Sequence, residues 1–530
     1  MTRTLQANFA ALALLILLGC GGASAPVAPA GPALDLAGAS VEALQQAGPV
    51  TNRINLVLIG DGYRQQDQAK LTRDAQNWLA AFRTSPPFGN YAGYFNISLI
   101  HLVSSEDGAG NGMYGLGVTR ATALGANFQN ANPAGKAPDY RLLVVDNGKA
   151  QSVAMALAPE CTRILVLVND ANYGGSGGVV ATFSANPDSC RIAMHEFGHA
   201  FAGLADEYQC GDSSALPATL EAYPNVTAIQ DPEQIKWRAW IKPGTALPTP
   251  ASWLHAADLG LFEGAYFHDT GVFRPRQNCR MRSLTDAFCE VCSEAIVNRI
   301  YDQVQPLDDP APAAALTLDG RAALELAVAR PVPSPDTIQV TWTVDGAPVA
   351  AKGDHLILAA GALAPGAHQI SAQVLDATPL IRNGSASRQR IQTWTVNPGT
   401  ALVQPMVVSQ QHQQHQLLRV IRNSGGFEVV ERRIIDLPLP AAPDPDRSDW
   451  TVAALGADGS VSFQTGIEDP TRLRGEFQHP EDRDGIQGRS LDEARPVSFL
   501  IRMPLAAIQG LAISGQREPA GGRKRLGMAV

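Results

Sequence analysis

The run His195-Glu196-Phe197-Gly198-His199 constrains this chain more than any other feature, because it makes chemical sense in one backbone conformation. On a helix the two histidines fall at i and i+4 and leave one face about 5–6 Å apart, a span that one metal ion can bridge. Glu196 stands beside the pair, placed to take a proton from water that a metal has acidified. A surface helix carrying two incidental histidines is the plain alternative. The context is tighter than that, since the run continues HEFGHAFAGLADEY, with Gly203 to end the helix and Asp206-Glu207 directly after it. The spacing predicts a helix from Arg191 to Ala202.

Around that helix the pattern is mixed α/β. Ile54–Ile59, Ile97–Val103, Leu142–Val145 and Ile164–Val168 are branched apolar runs bounded by turn formers, and read as buried strands. Asp67 to Phe82 reads as an amphipathic helix with Leu71, Ala75, Trp78, Leu79 and Phe82 near helical spacing. The glycine-rich loop from Asn172 to Gly178 leads into Val179–Phe183, an expected edge strand that could pair with extended substrate. An ordinary glycine loop before an edge strand is the competing reading.

A Pro- and Ala-rich linker begins at Pro306. Beyond it, Thr337–Val344 alternates apolar and polar residues up to an Asp345-Gly346 turn, and Gln369–Asp376 and Arg390–Val396 alternate again. Strands at this spacing predict an immunoglobulin-like β-sandwich. Leu417–Ile421, Phe427–Ile434 and Trp450–Phe463, with its Asp458-Gly459 hairpin signal, predict a second β-rich unit. His412 and His415 read as members of a solvated polar loop, with no carboxylate or cysteine near them in sequence.

The N-terminus points to export. Arg3 supplies a positive charge, Phe9–Leu18 is an apolar run, and Leu17-Leu18-Gly19-Cys20 follows. That run is too short for a bilayer-spanning helix, which takes about 20 residues, and fits a signal-peptide core. The string ending at Cys20 resembles a bacterial lipobox, which implies a lipid anchor on that cysteine. An ordinary cleavage site near Ser24-Ala25 is the alternative. The small, Pro-containing residues that follow read as a flexible tether. Apart from Cys20, six cysteines remain: Cys161, Cys190, Cys210, Cys279, Cys289 and Cys292. In an exported chain they predict disulfides. Cys289 and Cys292 form a CxxC, but a closed zinc site usually takes two such elements, so disulfides are the preferred use. A net charge of −9 and a pI near 5.6 argue against a nucleic-acid surface.

The string His195–Tyr208 resembles the signature of the IgA-peptidase-type (M64) metallopeptidases, a bacterial family. Ile54–Tyr63 with its GDGY turn, Tyr94–Asn96, Tyr173–Gly175 and Asn278–Arg282 are similar to it as well. The resemblance covers roughly residues 50–305 and implies a zinc peptidase without encoding a substrate. In metzincin-type sites a glycine turn returns the chain so that a residue six past the second histidine reaches the metal. Here the glycine and the acid each come one residue later, and Asp206 keeps the offset from Gly203. Asp206 is therefore the first choice for the third ligand, Glu207 the second, and Glu290 or Glu294 a gluzincin-type alternative. Met281 sits where a Met-turn would floor the ligands; an ordinary core methionine is the other reading.

The expected organisation is a lipoprotein signal peptide (1–20), a tether (21–49), an α/β (α+β) metzincin-like catalytic region (50–305), a sandwich (312–398), a C-terminal β-rich domain (403–518) and a tail (519–530). The expected function is a Zn²⁺-dependent endopeptidase lipid-anchored to the cell envelope. It would use His195, His199 and Asp206 as ligands and Glu196 as general base, act on protein or peptide, and bind no nucleic acid. Two alternatives remain: an adhesive lipoprotein with a residual metal domain, or a zinc hydrolase of cell-wall peptides. An intact Glu196 argues against the first.

Overall fold

The computed structural model describes residues 36–111, 118–129, 142–211, 215–217, 219–308, 315–318, 323–383, 386–398, 414–423, 426–437 and 442–529, the last without 444, 446–447, 449, 457–458, 468–469, 471, 479–485, 493–496, 506–509 and 516–525. The signal peptide with Cys20, most of the 21–49 tether, the linker over 309–314, His412 and Asp458 lie outside them.

The elements of the first half are β1 (Ser40–Gln45), β2 (Ile54–Asp61), α1 (Gln68–Thr84), β3 (Phe95–His101), β4 (Asn127–Gln129), β5 (Leu142–Val144), α2 (Asn147–Leu157), β6 (Arg163–Val168), β7 (Gly175–Ser176), β8 (Val180–Ser184), α3 (Ser189–Ala202), β9 (Phe262–Ala265), β10 (His268–Arg274) and α4 (Glu290–Tyr301). Strands β1 to β8 form one mixed sheet in the order β1-β3-β2-β6-β8-β7-β5-β4. Its centre, β3-β2-β6-β8, is parallel throughout.

A parallel sheet is covered on both faces, so its strands are apolar on both. All eight residues of β2 are buried. Ile54, Leu56 and Leu58 face a core shared with α1, α3 and α4, while Val57 and Ile59 face a second core closed by Ala150, Val153 and Ala154 of α2. On α1 the buried residues are Leu71, Ala75, Trp78, Leu79 and Phe82, the positions that its periodicity marks. Asp61, at the end of β2, is buried and accepts hydrogen bonds from Thr122 Oγ1, Leu124 N and Ala126 N, which fixes the loop over that end of the sheet.

Two expectations fail here. Strand β8 is not an edge: β6 flanks it on one side and β7 on the other, and all five of its residues are buried. Its near-continuous apolar character reflects interior position, and its other flank is occupied by the two residues of β7, too short a pattern to read beforehand. The tether also ends early, because β1 lies within it and pairs antiparallel with β3. Its small residues hid a strand whose stability comes from a neighbour's edge.

The second half is all β. Strands β11 (Ala315–Leu318), β12 (Leu324–Ala327), β13 (Ile338–Val344), β14 (Ala347–Pro348), β15 (His355–Leu358), β16 (His368–Asp376) and β17 (Gln389–Pro398) form a five-stranded sheet, β11-β17-β16-β13-β14, and a pair, β12-β15. Trp342 and Trp394 stack at 5.5 Å in the core they share with Leu326, Leu356, Ile370 and Val374. Further along, His415–Asn423, Gly426–Ile435 and Val497–Pro504 form a three-stranded sheet, and Trp450–Leu455, Val461–Ile467, Gly510–Gly515 and Leu526–Ala529 a four-stranded one. The residues taken as a tail thus include a strand, since Leu526–Ala529 completes the edge beside Gly510–Ile513. The first of these sheets packs on α2, where Gln151 Nε2 donates to Ser498 O at 2.8 Å and Ser152 Oγ to Glu431 Oε2 at 2.8 Å.

Candidate metal centre

Helix α3 carries the histidines and is buried along most of its length. Glycine ends it: Gly203 takes the left-handed conformation at φ +61°, and its N–H returns to His199 O at 3.0 Å. The reversal sends Leu204–Tyr208 back under the helix. There the backbone is held from three directions. Asn225 bonds both the N–H and the carbonyl of Ala205, Glu207 N–H donates to Met281 O at 2.7 Å, and Tyr266 N–H donates to Asp206 O at 3.0 Å.

This turn delivers Asp206 to the histidines. His195 Nε2 and His199 Nε2 stand 2.8 Å apart, and Asp206 Oδ1 lies 3.2 Å from the first and 3.0 Å from the second. All three residues are buried. His195 Nδ1 faces the Arg280 carbonyl at 2.8 Å and His199 Nδ1 the Leu204 carbonyl at 2.7 Å. A carbonyl only accepts, so each Nδ1 carries its proton and each Nε2 turns a lone pair toward the common point. Two lone pairs and a carboxylate oxygen converging in a buried site fit a divalent cation. Ligands about 2.0–2.1 Å from a tetrahedral zinc would stand about 3.3 Å apart. Burial opposes the charge on Asp206, but a proton on the adjoining His199 outweighs it and holds the carboxyl well below the usual carboxylate range; a cation would take the place of that proton.

Glu196 is buried beside the histidines, and the backbone of Gly177 lies against its carboxylate. A methyl group at residue 177 would overlap Glu196 Oε2. Gly177 was visible in sequence only as part of a glycine-rich loop, and its role is to let the backbone approach the carboxylate. Met281 is buried under the same helix: a methyl group on Gly198 would come within 3.3 Å of Met281 Sδ, Phe288 and Leu204. The methionine floors the helix turn between the histidines, and its neighbour Arg280 orients His195.

The other candidate acids go elsewhere. Glu207 points away from the histidines: its Oε1 accepts from Asn225 Nδ2 at 2.9 Å and from Cys292 Sγ at 3.1 Å. Glu290 pairs with Arg276. Glu294 accepts from Trp240 Nε1 at 2.7 Å and from Asn383 N at 2.6 Å, which ties α4 to the sandwich. Neither Glu290 nor Glu294 joins the groups gathered at His195 and His199. The expected disulfides do not appear among the described residues, where Cys161, Cys190, Cys279, Cys289 and Cys292 are unbridged. Cys161 lies in the α2-side core and Cys210 is exposed, while Cys279, Cys289 and Cys292 cluster together.

No curated protein matches the chain. Among solved structures it is similar to the Bacteroides ovatus mixed-linkage glucan utilization locus SGBP-B in complex with mixed-linkage heptasaccharide, at 12% identity and a TM-score of 0.14. That match covers 40% of this chain and spans 65% of the other, and at such a score it bears on neither fold nor function. The family model described as IgA Peptidase M64 matches residues 42–255 and 251–300, just under half of the chain. The matched segment holds α3, the Gly203 turn, Asp206 and Met281 together, and over residues 42–300 the chain is similar to the IgA Peptidase M64 family.

Proposed function

We propose that the chain is a zinc-dependent endopeptidase of the cell envelope, with His195, His199 and Asp206 as metal ligands and Glu196 as general base. The observation that carries this reading is the convergence of both Nε2 atoms with Asp206 Oδ1 while both Nδ1 atoms are engaged by backbone carbonyls. When bound, zinc supplies Lewis acidity, polarising a carbonyl and acidifying water. The chain's residues do the rest. His195 and His199 stay neutral and oriented because their second nitrogens donate to Arg280 O and Leu204 O. Glu196 takes the proton of the attacking water and returns it to the leaving amine. Gly177 and the buried surroundings leave that carboxylate little freedom, so it starts near its working position. No nucleophilic serine or cysteine is involved.

Cleavage of casein or gelatin in a zymogram, abolished by chelator and restored by zinc, tests the activity. Cleavage that persists through chelation would overturn the reading. Anchoring through Cys20 rests on the lipobox resemblance, and stable attachment needs two membrane signals, which multiple acylation of that cysteine would supply. Cys20→Ala should move the protein from the membrane fraction to the soluble one with unchanged specific activity; unchanged fractionation would remove the anchor.

A further inference from the structure

A second buried cluster lies on the far side of the same turn. Glu207, Cys279, Cys289 and Cys292 each offer a donor atom, and the four atoms lie within 4.8 Å of one another. Cys279 Sγ stands 3.6 Å from Cys292 Sγ, and Cys292 Sγ stands 3.1 Å from Glu207 Oε1. Thiolates about 2.3 Å from a tetrahedral zinc stand about 3.8 Å apart, whereas a disulfide would bring two sulfurs to about 2.0 Å. Three cysteines cannot pair among themselves without leaving a thiol over, and none of them is bridged. Glu207 Oε2 is buried without a hydrogen-bond partner, which proteins rarely leave so unless a ligand or charge takes it up.

We propose that Cys279, Cys289, Cys292 and Glu207 hold a structural zinc ion, separate from the histidine centre. Four protein donors close the coordination sphere, which marks a structural site, and soft thiolates select zinc over hard cations such as calcium. Three thiolates and one carboxylate around Zn²⁺ leave a net charge of −2, the same as four cysteines would. Binding displaces the thiol protons, and any proton on Glu207, to solvent and involves no oxidant or reductant. Two local features offset the burial that disfavours thiolate: the N–H of Cys289 points at Cys279 Sγ at 3.2 Å, and Cys289 and Cys292 lie at the N-terminal end of α4. The spacing rule missed this site because a single CxxC is completed by Cys279 and Glu207, neither part of a second pair. The ion would fasten three segments: the turn after α3, the Met281 segment and the start of α4. Since Glu207 adjoins Asp206, it also fixes the backbone from which Asp206 reaches the histidines.

Metal analysis and X-ray absorption of the purified full chain test this. The expected result is one zinc beyond that held by the histidines, and a His199→Ala variant that keeps a zinc with a sulfur-dominated shell. In cobalt-substituted protein, a thiolate-to-cobalt charge-transfer band should be present in His199→Ala and absent in Cys292→Ser. Should Cys292→Ser fail to fold, alkylation of the unaltered protein decides: Cys279, Cys289 and Cys292 should be protected until chelator is added. Zinc lost entirely in His199→Ala, or a disulfide among these three cysteines found by mass spectrometry, would overturn the proposal.

Discussion

Asp206 and Glu207 are chain neighbours, both buried and both acidic, yet they face opposite clusters. Asp206 joins two imidazoles that share one helix. Glu207 joins three sulfurs drawn from a loop and a helix start some eighty residues away, Cys292 lying 85 positions further on. Their electrostatics diverge accordingly: Asp206 is held low by the imidazoles, whereas burial, aided by nearby Cys279, pushes Glu207 well above the usual carboxylate range. The first centre is written in local spacing and can be read from five letters. The second is assembled by the fold and becomes visible only when the distant segments meet.

The sharpest way to break this contrast is to remove one chemical role at a time. His199→Ala should lose metal at the histidine centre together with peptide hydrolysis. Glu196→Ala should keep its metal while hydrolysis falls by at least ~10²-fold, the low end for a general base. Normal turnover in Glu196→Ala at full metal content would take Glu196 out of the mechanism.

The neighbouring acids come next. Asp206→Ala should empty the histidine centre, as two imidazoles alone leave a zinc under-coordinated. Glu207→Ala acts on that centre at one remove and should weaken its metal affinity by about 10–100-fold, the range seen for supporting residues. Equal loss of the histidine-ligated zinc in the two variants, told apart from the sulfur-ligated one by X-ray absorption, would erase the distinction between them.

Gly177→Ala is smaller still. The added methyl would crowd Glu196, a strain of about 1–3 kcal/mol; borne by the transition state, the middle of that range is a rate loss of about thirtyfold. Because Gly177 touches the base and not the ligands, kcat should fall with zinc content unchanged. A loss of zinc in this variant would show that the loop supports the metal instead.

Much of this was legible from periodicity. The five buried positions of α1 and the helix stop at Gly203 follow from local rules, and so does the double burial of β2. Gly203 also made Asp206 the natural acid to return to the histidines, and the chain brings it there. What escaped were features created by non-local partners. The flank of β8 is covered by two residues, Gly175 and Ser176, that carry no strand signal. The pairing of β1 depends on the free edge of β3. The cysteines looked like disulfide partners because composition reports a compartment, whereas burial beside Glu207 reports a coordination geometry.

Asp376 shows a further consequence of burying acids. This sandwich carboxylate accepts from Tyr91 OH at 2.7 Å and Tyr301 OH at 2.6 Å, while Thr337 bonds its other oxygen at 2.5 Å. Pulling the sandwich away would leave two tyrosine hydroxyls and a carboxylate seeking water, and would bare the Trp240 ring that Arg382 covers at 4.4 Å. Unmet buried partners of this kind cost about 1–3 kcal/mol each. Covalent continuity between the metal-bearing half and the sandwich is therefore dispensable once both are folded. A chain nicked between Tyr301 and Asp376 should elute as one particle in size exclusion, and separate fragments would show that the contact is too weak to act as a clasp.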